Sequence, residues 1–105
     1  MTCEKFNKIV DEQFSYCNEL LGVKNKEYKG EIDRLHTFEV AASLQGVDKK
    51  QALAGIMVKH TVSIYDMCKS GEYSLEKWTE KITDHINYLL LLKAMITEEI
   101  EHEEN

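Results

Sequence analysis

The chain has 105 residues, enough for one core and one domain. It lacks proline, and 43% of its residues are hydrophobic against 30% charged. This composition argues against disorder across most of the chain and favours helices, since Glu, Lys, Leu and Ala are strong helix formers.

Thirteen basic side chains against nineteen acidic ones leave a formal charge of −6. The last eight residues, EEIEHEEN, hold five glutamates, so the rest of the chain is nearly neutral. A basic face for the phosphate backbone is missing, and direct nucleic-acid binding is not expected. Residues 1–100 read as one helical domain and 101–105 as an acidic tail, a run of the kind that usually marks a solvated helix end. Cys3, Cys17 and Cys68 are odd in number and show no metal-like spacing. They fit reduced thiols, with Cys17 and Cys68 expected as buried small hydrophobes. The start, MTCEKFNKIV, lacks the apolar core of a signal peptide, and the run INYLLLL is too short for a bilayer. A soluble cytoplasmic protein with no membrane partner is the expectation.

Four helices are predicted in chain order. The first spans Cys3 to Leu21, with Phe6, Ile9, Val10, Cys17, Leu20 and Leu21 at helical spacing, Thr2 as cap and Gly22 as stop. Val23 to Ile32 reads as a lysine-rich loop. The second helix spans Asp33 to Gln45 and stops at Gly46. The third opens on the Asp48–Gln51 capping box and runs to Ser70, before Gly71. The fourth follows Ser74 and continues to about Glu99. The predicted architecture is therefore an all-α, four-helix bundle-like single domain.

The third helix has an apolar stripe of Leu53, Ile56, Met57, His60, Ile64, Met67 and Cys68. Val58, Val62 and Tyr65 lie outside it, so the helix is expected to pack on more than one side. Lys59, Ser63 and Asp66 form one polar line, readable as a surface ion pair or as a binding site. Gly55, after Ala52 and Ala54, would permit close helix packing. For the fourth helix the expected core stripe is Leu75, Trp78, Ile82, His85, Ile86, Leu89 and Ile96. Lys77, Lys81, Asp84 and Tyr88 fall on its other face, with Leu91 and Met95. Four successive leucines, Leu89 to Leu92, cover every side of that helix. A homodimer contacting through Leu91 and Met95 is the simplest expectation.

His36, His60 and His85 stand near aspartates, but no HExxH or ExxH pair occurs, so no metal site is assigned. No oriented base accompanies a cysteine, and no Gly-rich phosphate loop is present. Lys24, Lys26, Lys29 and Arg34 make a local basic loop that could hold one phosphate, with Lys26, Tyr28 and Arg34 as the loop's binding candidates. No cofactor is expected.

Three stretches carry a family likeness: Lys26-Glu27-Tyr28 leading into Asp33-Arg34-Leu35-His36-Thr37-Phe38, then Lys59 to Met67, then Glu80 to Tyr88. Over residues 24 to 92 the chain resembles small helical phage and prophage proteins of the nucleotide-modification-associated domain type. Those show a Lys-x-x-(Asp/Glu)-Tyr loop, a Lys-His on a middle helix and an Asp-x-x-Asn-Tyr on the last. The resemblance implies a phage or mobile-element origin. More distantly the chain is similar to MazG-like all-helical nucleotide pyrophosphatases, which bind magnesium through Glu-x-x-Glu and Glu-x-x-Asp. Here the corresponding helices offer His60, Ser63 and Asp66, then Glu80 and Asp84, with Lys59 and Lys81 interposed. That carboxylate set is incomplete, so no enzyme is expected.

In size, acidity and implied origin the chain also resembles anti-CRISPR proteins. The leading expectation is a non-enzymatic binding protein that blocks a host defence machine, concretely a Cas9-type nuclease. The alternative is a nucleotide-binding or nucleotide-modification-associated protein; a further one is a structural dimer with an assembly role. Binding candidates on the body are Lys59, Ser63, Asp66, Lys77, Lys81, Asp84 and Tyr88. Those of the tail are Glu98, Glu99, Glu101, Glu103 and Glu104. The body is preferred because specific contacts need preorganised side chains.

Overall fold

The computed structural model describes residues 1–28 and 35–104, with the side chains of 23–28 and 104 outside the description. Four helices and no strand are present among the described residues: α1 (Cys3–Tyr28), α2 (His36–Gln45), α3 (Lys49–Lys69) and α4 (Leu75–Glu104). The expected all-α, bundle-like fold is what the chain adopts.

The helix ends follow local chemistry. At α1 the Thr2 hydroxyl accepts from the Lys5 N–H at 3.1 Å. Asp48 and Gln51 form a reciprocal capping box at α3, with Gln51 N–H donating to Asp48 Oδ1 at 2.8 Å and Asp48 N–H to Gln51 Oε1 at 3.2 Å. Ser74 caps α4 by accepting from the Lys77 N–H at 3.1 Å. Gly46 closes α2 at φ +68°, and the next N–H, of Val47, returns to the Ala42 carbonyl. Gly71 has φ +97°, a conformation that favours glycine, and a Cβ there would stand 3.0 Å from the Tyr73 ring. That ring in turn meets Trp78 edge-on at 6.1 Å.

Three boundaries differ from expectation. Gly22 does not stop α1, which continues to Tyr28. One glycine costs a helix about 1 kcal/mol, and the Lys- and Glu-containing stretch after it supports helix well enough to carry the chain through. Lys26 and Tyr28 thus lie on a helix and not in a loop, with their side chains outside the description. The second helix, expected from Asp33, begins at His36 with Leu35 at its N-cap position and no side-chain cap; Asp33 and Arg34 lie outside the described residues. At the other end α4 runs to Glu104, so the acidic segment from 101 continues the helix.

The fourth helix is the hub. α1 packs along one side of it, α3 along another, and α2 packs on α3; among the described residues α1 packs on neither α2 nor α3. The main core joins Leu35, Phe38, Leu53 and Met95, with Ile56, Tyr88, Leu91 and Leu92 against it. This reverses the expected faces of α4. Met95 is only 2% exposed, and Leu91 packs on the core, so neither forms an outer interface. Leu75, Ile82, Leu89 and Ile96, expected inside, are exposed. The physical reason is that α4 is apolar nearly all round in its second half, so periodicity alone does not choose the inner side. Cys17 is buried as expected, against α4, whereas Cys68 is exposed. No described helix is long and apolar enough to cross a membrane.

Candidate functional site: buried polar groups on the third and fourth helices

Antiparallel packing of α3 on α4 brings the middle of each helix together. His60 and Tyr88 meet there with ring centroids 4.8 Å apart and planes tilted by 46°. Asp84 lies one turn before Tyr88 on the same side of α4, since residues four apart are neighbours on a helix. Burial, and then the Asp84 carboxylate, push the Tyr88 phenol above its ordinary value of 10.0.

Asn87 occupies the adjoining line of α4 and is only 6% exposed. Neither its Oδ1 nor its Nδ2 has a hydrogen-bond partner. The Nδ1 atoms of His60 and His85 are likewise buried and unpartnered. Buried polar atoms are nearly always satisfied, so these four orphans, one on α3 and three on α4, are unusual. Thr83, one turn before Asn87, is satisfied: its hydroxyl accepts from Gln13 Nε2 at 2.7 Å, across the α1–α4 contact. Below that bond a cleft of about 560 Å³ opens between α1 and α4, lined by Tyr16, Glu19, Glu76, Glu80, Thr83 and Asp84.

Of the residues expected to bind, Asp84 and Tyr88 lie on the same stretch of α4 as His85 and Asn87. Lys59 and Asp66 are exposed on α3, with Ser63 half-buried between them. Lys77 stands exposed in the first turn of α4, and Lys81 is half-buried one turn on. The ion pair considered for Lys59 and Asp66 is not formed among the described residues. The acidic end behaves differently from a free tail. Lys50 holds Glu99 at 3.1 Å, and Lys49 bridges Glu39 at 3.5 Å and Glu98 at 4.0 Å. The hydrogen bond and charge of Glu99 raise the Lys50 pKa. These pairs are solvent-exposed and contribute little, yet they register the end of α4 on the start of α3. Glu101 joins Glu98 and Glu99 around a second cleft of about 550 Å³, while Glu103 is simply exposed. Among the described residues no group of three or more His, Cys, Asp or Glu side chains could hold a metal ion.

Sequence reasoning did not foresee the Gln13–Thr83 bond or the His60–Tyr88 contact, because both join residues far apart in the chain. The Asp84-x-x-Asn87-Tyr88 spacing was the available signal, since it sets three polar groups on neighbouring lines of one helix. Comparison of the chain with family models, with curated proteins and with solved structures finds no match.

Tyr88 supplies a direct test of its environment. A phenol raised by burial keeps its proton in the fold at a pH where the unfolded chain has lost it. The unfolded state then binds fewer protons, so stability falls as pH rises above 10.0 toward the folded value. Titration of phenolate absorbance is expected to finish at higher pH in the parent than in Tyr88→Phe. An unchanged curve in the variant would refute the assignment.

Proposed function

We propose that this chain is a non-enzymatic binding protein that acts by occupying a macromolecular partner. The partner we name is a nuclease of a host defence machine, with a Cas9-type enzyme as the concrete case. The observation that supports this reading is the outer face of α3. Val58, Val62 and Tyr65 recur at i, i+4 and i+7, and each is more than half exposed. Lys59, Asp66 and Lys69 surround them, with the Lys69 ammonium 5.9 Å from the Tyr65 ring centroid. An aromatic anchor within a small apolar line and a charged rim is the composition of a protein–protein contact. The glutamates at the end of α4 add a field that would steer a basic, nucleic-acid-holding partner.

The test is cleavage of target DNA by purified, guide-loaded Cas9 with this protein added. Inhibition is expected in the parent, weakened by ~10-fold or more in Tyr65→Ala, since truncating an anchor commonly costs this much. Deleting residues 101–105 is expected to matter less and only at low salt, where screening is least. Full cleavage in the presence of the parent protein sinks the nuclease assignment.

A second reading, nucleotide binding, has its own support in the unpartnered Asn87 amide. A carboxamide offers a donor and an acceptor side by side, the pairing that reads the edge of a nucleobase. Calorimetric titration with nucleoside mono- and triphosphates decides it: heat lost in Asn87→Leu favours this reading, and no heat in the parent ends it. Magnesium-dependent turnover abolished by Asp84→Ala would favour the pyrophosphatase relationship over the binding protein.

A further inference from the structure

The chain exposes more surface than its mass requires. A compact monomer of 12.2 kDa exposes about 6,100 Å². This one exposes 8143 Å². Its radius of gyration is 16.2 Å, where a compact domain of this length has about 13 Å. The excess of about 2,000 Å² exceeds the roughly 800 Å² that each partner of a stable complex commonly buries.

Part of the exposed apolar surface forms a continuous stripe along one side of α4. Leu75, Ile82, Leu89 and Ile96 recur every seven residues. Ile86 and Ile100 stand four residues beyond Ile82 and Ile96, which places all six on one line of the helix. Five of the six are exposed, and Ile86 is half-buried. α1 and α3 pack on other sides of α4 and leave this line uncovered. A strict seven-residue repeat of this kind fits the seam of another helix bearing the same repeat, and a second copy of this chain carries one by construction.

We infer that the protein is a homodimer in which the two α4 helices pack antiparallel along this stripe. The direction follows from Lys93, the one charged residue on the line. Parallel packing in register would set Lys93 against the Lys93 of the second copy, a like-charge contact inside the seam. Antiparallel packing with Ile82 opposite the second copy's Ile100 sets Ile86 opposite its Ile96 and Lys93 opposite its Leu89. There the lysine stem covers apolar surface while the ammonium reaches water. This interface is separate from the outer face of α3, so it stands or falls independently of the partner proposed above.

Sedimentation of the parent at micromolar concentration is expected to give twice the 12.2 kDa chain mass. Leu89→Glu is expected to raise the dissociation constant by at least ~30-fold, the effect of losing a central anchor. Helical circular dichroism should be retained, because Leu89 is 46% exposed. Ile100→Glu, nearer the helix end, provides a second variant, and Val62→Glu on α3 should remain dimeric. For direction, a nitroxide is placed at Glu101→Cys with Cys3 and Cys68 replaced by serine. Antiparallel packing sets the two labels about 30 Å apart along the axis, at 1.5 Å per residue. A parallel seam would bring them within about 20 Å, since its helices lie side by side about 10 Å apart. A monomeric parent, a dimer untouched by both glutamates on α4, or the short label distance would each overturn the inference.

Discussion

Met95→Lys is expected to unfold the chain, whereas Leu89→Lys is expected to leave it folded. The two residues are six apart on one helix and equally apolar in the sequence. Met95 is 2% exposed and joins Leu35, Phe38 and Leu53, from α3 and from the α2 end, in the main core. A lysine there must either carry an unpaired charge into that core or push α2 and α3 off α4. Breaking burial in this way costs on the order of 3–5 kcal/mol, a large part of the stability of a small domain. Leu89 contacts none of that cluster, and a lysine in its place extends into water. Guanidinium denaturation of the two variants provides the measurement, with loss of the cooperative transition expected for Met95→Lys. For Leu89→Lys the monomeric fold keeps its midpoint to within the small change produced by separating a dimer. Two equally stable variants would mean that the inner face of α4 is wrongly placed.

The same pair explains what the sequence did and did not reveal. Helix number and most ends were legible because they rest on local chemistry: Thr2, the Asp48–Gln51 box, Ser74, Gly46 and Gly71 each act within a few residues. Gly22, which does not end α1, marks where a single destabilising residue is outvoted by its neighbours. The inner side of α4 was not legible, because Leu89 to Leu92 place an apolar group on every side of the helix. Only packing partners far along the chain decide which of them go in. Cys68 is a related case: it ends an apolar stripe on α3 but lies past the reach of the core, where nothing covers it. On the candidate site, the Asp84–Asn87–Tyr88 spacing was visible, but that His60 would meet Tyr88 depends on the register between α3 and α4, which no local pattern encodes. The Lys49–Glu98 and Lys50–Glu99 contacts that help fix this register join residues 49 apart.

Asn87→Leu is expected to stabilise the protein by about 1–3 kcal/mol. A buried polar group left without partners has lost its water and gained nothing, and that penalty is of this size. Leucine has the same branching at Cγ, so it replaces the carboxamide with two methyl groups in nearly the same outline. It is also the better helix former. Asn87 is only 6% exposed, and neither of its amide atoms has a hydrogen-bond partner within the chain. The variant separates two roles. Raised stability with unchanged inhibition of the nuclease and no change in nucleotide heat identifies Asn87 as a bystander. Raised stability with loss of nucleotide binding identifies the amide as a ligand contact, obtained at the expense of stability. Lowered stability, measured by the same denaturation midpoint, would show that the carboxamide is satisfied in the folded protein.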